Sequence, residues 1–510
     1  MSSFRAGAAA LDIDPPFGLP MCGVVARDWT GTARIGKLEV TALAFEIDGA
    51  RAVVCGVDTL ALQSPEIGET RARVAAATGA PLASVLIGAS HTHHAPPTSR
   101  FFSSPLGTVD VPADPATLAH VEYVHDQIVA VCELAFERLE PAWTRWGLGY
   151  ADFAINRRER DPDGRVRRLG WNEEGMLDQS VPVLQAVRAD ESAIGTLVAY
   201  GAHTVTTWIE SNAYSPDYPG ALRDAVRRWT GGECVFLIGA AGNVMPRISF
   251  EQTGRAMREM GEGVALAALS ALGSRPTWPS ELSVGSGFRS GNAVAAYRWR
   301  LRDAEPPPLR AAERVVSFPL QPLPLLDEIV ELRERSEREV AEAIERGAAE
   351  WELRGLRYHG LAYALRTEAE LRSGSAPTAV EGPVNALRIG DGVIATGPGE
   401  IFTEIGMAVK ERSPADVTLY AGCVNETLSY FPTASEFPLG GYEPDYGNKT
   451  YGLPIQVDPS CDRLLVETAV GLVRDLFPDR AGGEDGDWTA SGKLPQVPPA
   501  PPPLHRPEAA

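Results

Sequence analysis

Three of the eight histidines crowd into Ser90-His91-Thr92-His93-His94. In extended backbone, side chains two residues apart share a face, so His91 and His93 are expected in one pocket and His94 outside it. Neutral imidazole is the commonest metal ligand, and two of them at a strand's end are a recurrent way to hold a transition metal. A solvated surface cluster is the other reading of the same residues. His203 follows a second apolar run, 197–201. It is either a partner that converges on the first pair or a core histidine bonded to backbone. His120, His125, His359 and His505 have no such setting. Gly397-Pro398-Gly399-Glu400 places a carboxylate on a tight turn after the run 392–395. That position suits ligation or acid–base work, and equally a helix N-terminus where the carboxylate meets the dipole. Asp217, in Ser215-Pro216-Asp217-Tyr218-Pro219-Gly220, reads as a helix cap or as a carboxylate standing behind a ligand. Gly239-Ala240-Ala241-Gly242-Asn243 lacks both the Lys-Ser/Thr of a P-loop and GxGxxG spacing, which argues against nucleotide binding.

These residues need strands and turns to carry them. Residues 38–47 and 52–57 read as strands joined by the hairpin signal Asp48-Gly49. Residues 65–78 and 115–139 have helical character, and 83–87, 236–238 and 393–395 are short apolar strands. Strands interleaved with helices predict an α/β (α+β) fold, a large single catalytic domain over residues 1–480 with mixed β-sheets flanked by helices. The Pro-rich stretch 306–324 reads as a connector. Residues 325–373, rich in Glu, Arg, Ala and Leu, read as a solvent-exposed helical insertion of one or two helices, broken near Gly355 or Gly360. No heptad seam runs through it, so it is expected as a structural insertion. Residues 481–510 read as a Pro-rich disordered tail.

The chain has 510 residues and a formal charge of −20. Such an excess of carboxylates repels phosphate backbones and anionic head groups, so nucleic acid and membrane surfaces are not expected partners. No apolar run reaches the ~18 residues of a membrane span, and the first residues lack the apolar segment of a secretion signal. The six cysteines are scattered, as in a reduced, cytoplasmic protein. A small soluble molecule is the expected partner.

The ordered series from Ser90-His91-Thr92-His93 through Asn156-Arg157, Ala202-His203, Ser215–Gly220, Gly239–Asn243 and Gly397–Glu400 to the Tyr-rich segment resembles one family. It is the N-terminal catalytic domain of neutral/alkaline non-lysosomal ceramidases, and the resemblance spans about residues 4–477. The resemblance implies a zinc ion that serves hydrolysis of an N-acyl amide. The family's THTHSGP motif matches Ser90-His91-Thr92-His93-His94-Ala95-Pro96, which implies His91 as a ligand and His93 as a substrate-contacting or proton-handling residue. It further implies His203 and Glu400 as ligands. Tyr430, within Asn425-Glu426-Thr427-Leu428-Ser429-Tyr430-Phe431-Pro432-Thr433, is implied as the fourth. Tyr442, in the pair Tyr442-Glu443, is implied as an active-site donor, and Arg157 as a substrate or oxyanion contact.

Two departures sharpen the reading. The family's GDxSPN segment, whose serine has been assigned a nucleophilic role, is Gly242-Asn243-Val244-Met245-Pro246-Arg247 here. A methionine is no nucleophile, so a covalent serine route at that position is excluded. His94-Ala95-Pro96-Pro97-Thr98 replaces SGPGG, so the pocket wall is expected to differ. Neither the family's secretion signal nor its C-terminal β-sandwich is expected, as in a divergent bacterial-type member with a soluble substrate. The expected activity is a zinc-dependent hydrolase, one Zn2+ per chain, that cleaves an amide (N-acyl) or ester bond through a metal-activated water. The expected ligands are His91, His203, Glu400 and Tyr430, with His93, Arg157 and Tyr442 in catalytic roles. A non-catalytic binding or scaffold member of the fold and a metal-dependent lyase or transferase are the alternatives.

Overall fold

The structure is a computed structural model that describes residues 4–25, 27, 29–103, 113–273, 280–290, 292–301 and 307–480. The expected Pro-rich tail, 481–510, lies outside the described residues, and so does His505. Glu39–Ile47 runs antiparallel to Ala50–Val57, and the chain reverses through Asp48 and Gly49 with φ of +48° and +84°. Both angles are positive, as a two-residue hairpin turn that follows the strand twist requires. Gly49 meets that demand at no steric cost.

Three sheets form the body. One has the order Val85–Ala89, Ala50–Val57, Glu39–Ile47, Arg5–Asp12, Glu140–Pro141. The second has Glu233–Ile238, Ala193–Tyr200, Ser180–Val187, Trp143–Tyr150, and the third Leu309–Pro319, Ala379–Ile389, Gly392–Thr396, Val417–Ala421. Each sheet holds antiparallel neighbours and one parallel pair at its edge: Ala50–Val57 with Val85–Ala89, Ala193–Tyr200 with Glu233–Ile238, and Gly392–Thr396 with Val417–Ala421. Leu43, Leu86, Leu197, Leu237, Ile394 and Leu419 meet in one buried cluster contributed by all three sheets. The other faces are covered by helices, among them Pro115–Glu137 and Tyr218–Thr230 on one side and Cys461–Leu476 on the other. The class is α+β with mixed sheets. Strands buried on both faces read as near-continuous apolar runs, which is why the short runs at 236–238 and 393–395 were legible.

Two expectations are corrected. The stretch 306–324 is not a bare connector: Leu309–Pro319 pairs with Ala379–Ile389 along its whole length. Its prolines flank the strand or close it at Pro319, at the edge of the sheet, where no ladder donor is lost. The helical segment is less exposed than expected. It comprises Leu326–Glu345, Glu350–Gly355, a π-helical turn Leu356–Ala362, and Tyr363–Ser373. Leu326–Glu345 buries Ile329, Ser336, Val340 and Ala343 and packs against the π-turn and the last helix. Among the described residues, no helix is long and apolar enough to cross a membrane.

Candidate metal centre

The ends of the three parallel strand pairs converge. His91 follows Val85–Ala89, His203 follows Ala193–Tyr200, and Glu400 follows Gly392–Thr396. The loops are stitched by a parallel bridge Thr92 to Thr204 and an antiparallel bridge Gly88 to Val424. Glu400–Ile401 pairs in parallel with Tyr430–Phe431, in a register that sets Glu400 directly beside Tyr430.

The histidine segment is not extended, contrary to the expectation from its spacing. His91 adopts φ +63°, and the chain turns at once through His93 and His94. The turn still brings the rings together: His91 lies 5.1 Å from His93 and 4.7 Å from His203, centroid to centroid. His94 points away, to the carbonyl of Trp208 at 3.0 Å.

Each converging ring is fixed by a backbone carbonyl at Nδ1. His91 reaches Leu60 O at 2.8 Å, His93 reaches Gly23 O at 3.0 Å, and His203 reaches Ala241 O at 2.7 Å and Val244 O at 3.0 Å. A carbonyl only accepts, so Nδ1 carries the proton in all three and Nε2 presents a lone pair. The Gly-rich turn 239–243 thus orients His203. Gly242 is needed there, since a Cβ would stand 2.6 Å from Glu400 O.

The four inward atoms have no hydrogen-bonded partner: Nε2 of His91, His93 and His203, and Oε2 of Glu400, all buried. Glu400 Oε2 lies 3.2 Å from His91 Nε2 and 3.0 Å from His203 Nε2. Lone pairs that face lone pairs at this distance require a shared cation, either a proton or a metal ion. The ligand atoms of the three histidines lie within 4.8 Å of one another. Two or three imidazoles, a carboxylate and a nearby phenol form a donor set suited to zinc or a similar transition ion.

With only a proton available, His91 takes it. Burial pushes its pKa down, but the charge of the Glu400 carboxylate, with Cys423 beside it, more than offsets this, and it rises to about 10. His203 falls to about 4, through burial and the charge of Arg157. Burial, with His91 and His203 nearby, drives His93 well below its ordinary value. Glu400 is held well below the carboxylate range: burial opposes this, and His91 and His203 outweigh it. Burial raises Tyr430, Tyr442 and Tyr451, which therefore remain phenols.

Arg157 and Tyr442 surround this core. Arg157 donates from Nε to Glu443 at 2.9 Å and from Nη2 to the Tyr430 hydroxyl at 3.3 Å. Tyr442 packs edge-on to Tyr430 at 5.6 Å, and its hydroxyl meets Thr450 Oγ1 at 3.2 Å. All seven residues singled out in the sequence (His91, His93, Arg157, His203, Glu400, Tyr430 and Tyr442) line one cavity of about 970 Å3, near the upper end of small-molecule pockets. Met245 lines it too, packed with Ile155, Val205 and Phe250.

Asp217 stands behind the site. It caps Tyr218 N at 2.8 Å and accepts from Thr206 Oγ1 at 2.7 Å and Thr207 N at 2.8 Å, which braces the loop after His203. His125 is a structural histidine between Thr70 Oγ1 and Thr98 O, each at 2.8 Å. Tyr451 has no place in the sequence reading, and Glu443 enters it only as the neighbour of Tyr442, with no role. The Tyr451 hydroxyl donates to Glu400 Oε1, and Glu443 joins Arg157 to Arg158. Tyr451 lies in the Tyr-rich segment but at no recognisable spacing, and no local pattern links 443 to 157.

No protein-family profile matches the sequence, and no curated protein sequence is similar to it. The fold is that of solved ceramidases. The neutral ceramidase from Pseudomonas aeruginosa superposes with a TM-score of 0.65 at 18% identity, covering 94% of this chain and 75% of that one. A ceramidase complexed with C2 gives 0.65 at 18%, covering 95% and 77%.

Proposed function

We propose that the protein is a metal-dependent hydrolase of a non-peptide C–N bond, an N-acyl amide of a small molecule, with one zinc ion held by His91, His203, Glu400 and Tyr430. The observation that carries this reading is the meeting of unpartnered, buried His91 Nε2, His203 Nε2 and Glu400 Oε2, each imidazole pinned by carbonyls behind it. The shared ceramidase fold supports an amide as the bond cleaved.

When bound there, zinc supplies Lewis acidity toward a carbonyl oxygen and brings the pKa of water to near ~7. Arg157, immobilised on Glu443, and Tyr442, a phenol at neutral pH, are the donors for the amide oxygen as charge develops on it. His93 accepts at Nε2, because its Nδ1 proton is committed to Gly23 O. It takes a proton from the attacking water there and returns it to the nitrogen as the C–N bond breaks. Met245 stands where the resembled family has its serine, so no acyl-enzyme forms at that position, and water is the nucleophile in this reading.

The test is turnover of an N-acyl amide library in H2 18O. One 18O in the released acid, loss of activity on chelation and recovery with zinc support the reading; products without 18O refute hydrolysis. A second reading makes His93 a further ligand, favoured by the closeness of the three imidazole ligand atoms. Under the first reading His93→Ala keeps its metal and loses turnover; under the second it loses the metal.

A further inference from the structure

The cavity wall has a charge balance opposite to that of the chain. The protein carries a formal −20, yet among the described residues the wall bears Arg27, Arg157, Arg247 and Arg354 against one carboxylate, Glu400. Two of these cations are answered: Arg157 by Glu443, and Arg247 by Asp152 at 3.0 Å. Arg27 is committed to carbonyls, of Cys22 at 3.3 Å, His93 at 2.7 Å and Ile209 at 3.1 Å. Arg354 makes no ion pair or hydrogen bond among the described residues, and its Nε is buried without a partner. A guanidinium partly withdrawn from water with no counter-charge is unfavourable unless a ligand supplies one.

The position of Arg354 is built. It lies near the end of Glu350–Gly355, where the helix passes into the π-turn Leu356–Ala362. The wider π-turn aligns residues four and five apart, and Arg354, Tyr358 and His359 all face the cavity. The Tyr358 hydroxyl donates to Thr450 O at 3.1 Å, and Thr450 Oγ1 meets the Tyr442 hydroxyl at 3.2 Å, so the turn is tied to the metal centre. His359 Nε2 is a second buried, unpartnered atom on this wall. Around them the lining is apolar, with Met21, Trp29, Phe102, Trp171, Val205 and Phe250.

We infer that the substrate is an anionic amide, an N-acylated amino acid, whose carboxylate is held by Arg354 while its acyl chain lies along the apolar wall. The inference rests on the amide-hydrolase reading for the bond cleaved, but the recognition it describes is separable from turnover. Arginine suits this task because its planar fork binds a carboxylate through two parallel bonds.

The probes are N-dodecanoylglycine and N-dodecanoylethanolamine, which share the amide and chain and differ in the terminal charge. Their binding to the metal-free full chain is measured by calorimetry at low salt. The parent is expected to bind the glycine amide about 10-fold or more tightly than the ethanolamine amide, the scale of a hydrogen bond to a charged group. Arg354→Gln should bring that ratio to about one with an unshifted unfolding midpoint, and Arg354→Lys should keep part of it. Equal binding of both probes, binding of neither, or an unchanged ratio in Arg354→Gln overturns the inference. A clear preference without turnover in the zinc-loaded protein would instead overturn the hydrolase reading. Turnover with no preference would leave that reading intact and remove this one.

Discussion

Glu443→Gln removes the charge that immobilises Arg157. Glu443 is wholly buried and accepts from Arg157 Nε at 2.9 Å and Arg158 Nη1 at 2.6 Å. Arg158 keeps Glu436 at 2.6 Å and Gly440 O at 2.7 Å, so it loses one arm of several. Arg157 keeps only the hydrogen bond to the Tyr430 hydroxyl at 3.3 Å and becomes a buried cation with no hydrogen-bonded carboxylate, attracted only by the charge of Glu400. Breaking a buried ion pair from one side costs ~3–5 kcal/mol. A glutamine amide can still accept one of the two bonds, which puts the variant near the lower end, about 3 kcal/mol. That is a large share of the ~5–15 kcal/mol by which domains of this kind are stable. The assay is urea unfolding of zinc-saturated protein in a cycle of Glu443→Gln, Arg157→Met and the double variant. The double variant should be about 1–3 kcal/mol more stable than the sum of the single losses, because the orphaned charge is gone. Turnover should fall in Glu443→Gln as Arg157 loses its direction. An unfolding free energy within about 1 kcal/mol of the parent, with additive single effects, would refute the argument.

Three further outcomes follow. In the metal-free protein His91 is raised from an ordinary 6.5 to about 10; a raised pKa adds stability that is complete below 6.5 and lost as pH climbs through about 10. The metal-free unfolding midpoint should therefore fall between those limits, and zinc uptake at pH 7.5 should release at least one proton, from His91, read by calorimetry in buffers of different ionisation enthalpy; no release contradicts this. Gly23→Ala puts a Cβ 2.7 Å from the His93 ring at a backbone φ of +98°, so turnover should drop at least about 10-fold, one kinetic decade per ~1.4 kcal/mol, while bound zinc is kept. Met245→Ser places a hydroxyl where the resembled family has its serine, yet it should lower stability by about 2–4 kcal/mol through lost packing and raise turnover not at all; a gain in activity would restore the covalent route.

How much of this was readable in sequence depends on how local each cause is. The Asp48-Gly49 hairpin and the apolar runs before His91, His203 and Glu400 are signals a few residues long, and the fold uses them as read. Two-residue spacing pairs His91 with His93 only in extended backbone, whereas here a left-handed residue and a turn bring the rings together. The prolines around Leu309–Pro319 give it the composition of a connector, although those beside the paired residues stand at the strand's ends. The 325–373 segment is charged enough to look wholly solvated, and the π-turn that faces the cavity has no sequence signature. Glu443 and Tyr451 act on residues 286 and 51 positions away, and such contacts exist only once the sheets have packed.

The central claim is that His91, His203 and Glu400 jointly hold one metal ion. Its most direct test is the metal content, by elemental mass spectrometry, of the purified protein and of His91→Ala, His203→Ala and Glu400→Gln after equal exposure to zinc. The parent should carry about one zinc per chain and each variant well under a tenth of that, since loss of one inner donor typically exceeds the ~10–100-fold cost of losing an outer partner. A parent without stoichiometric metal, or variants that retain it in full, would contradict the account.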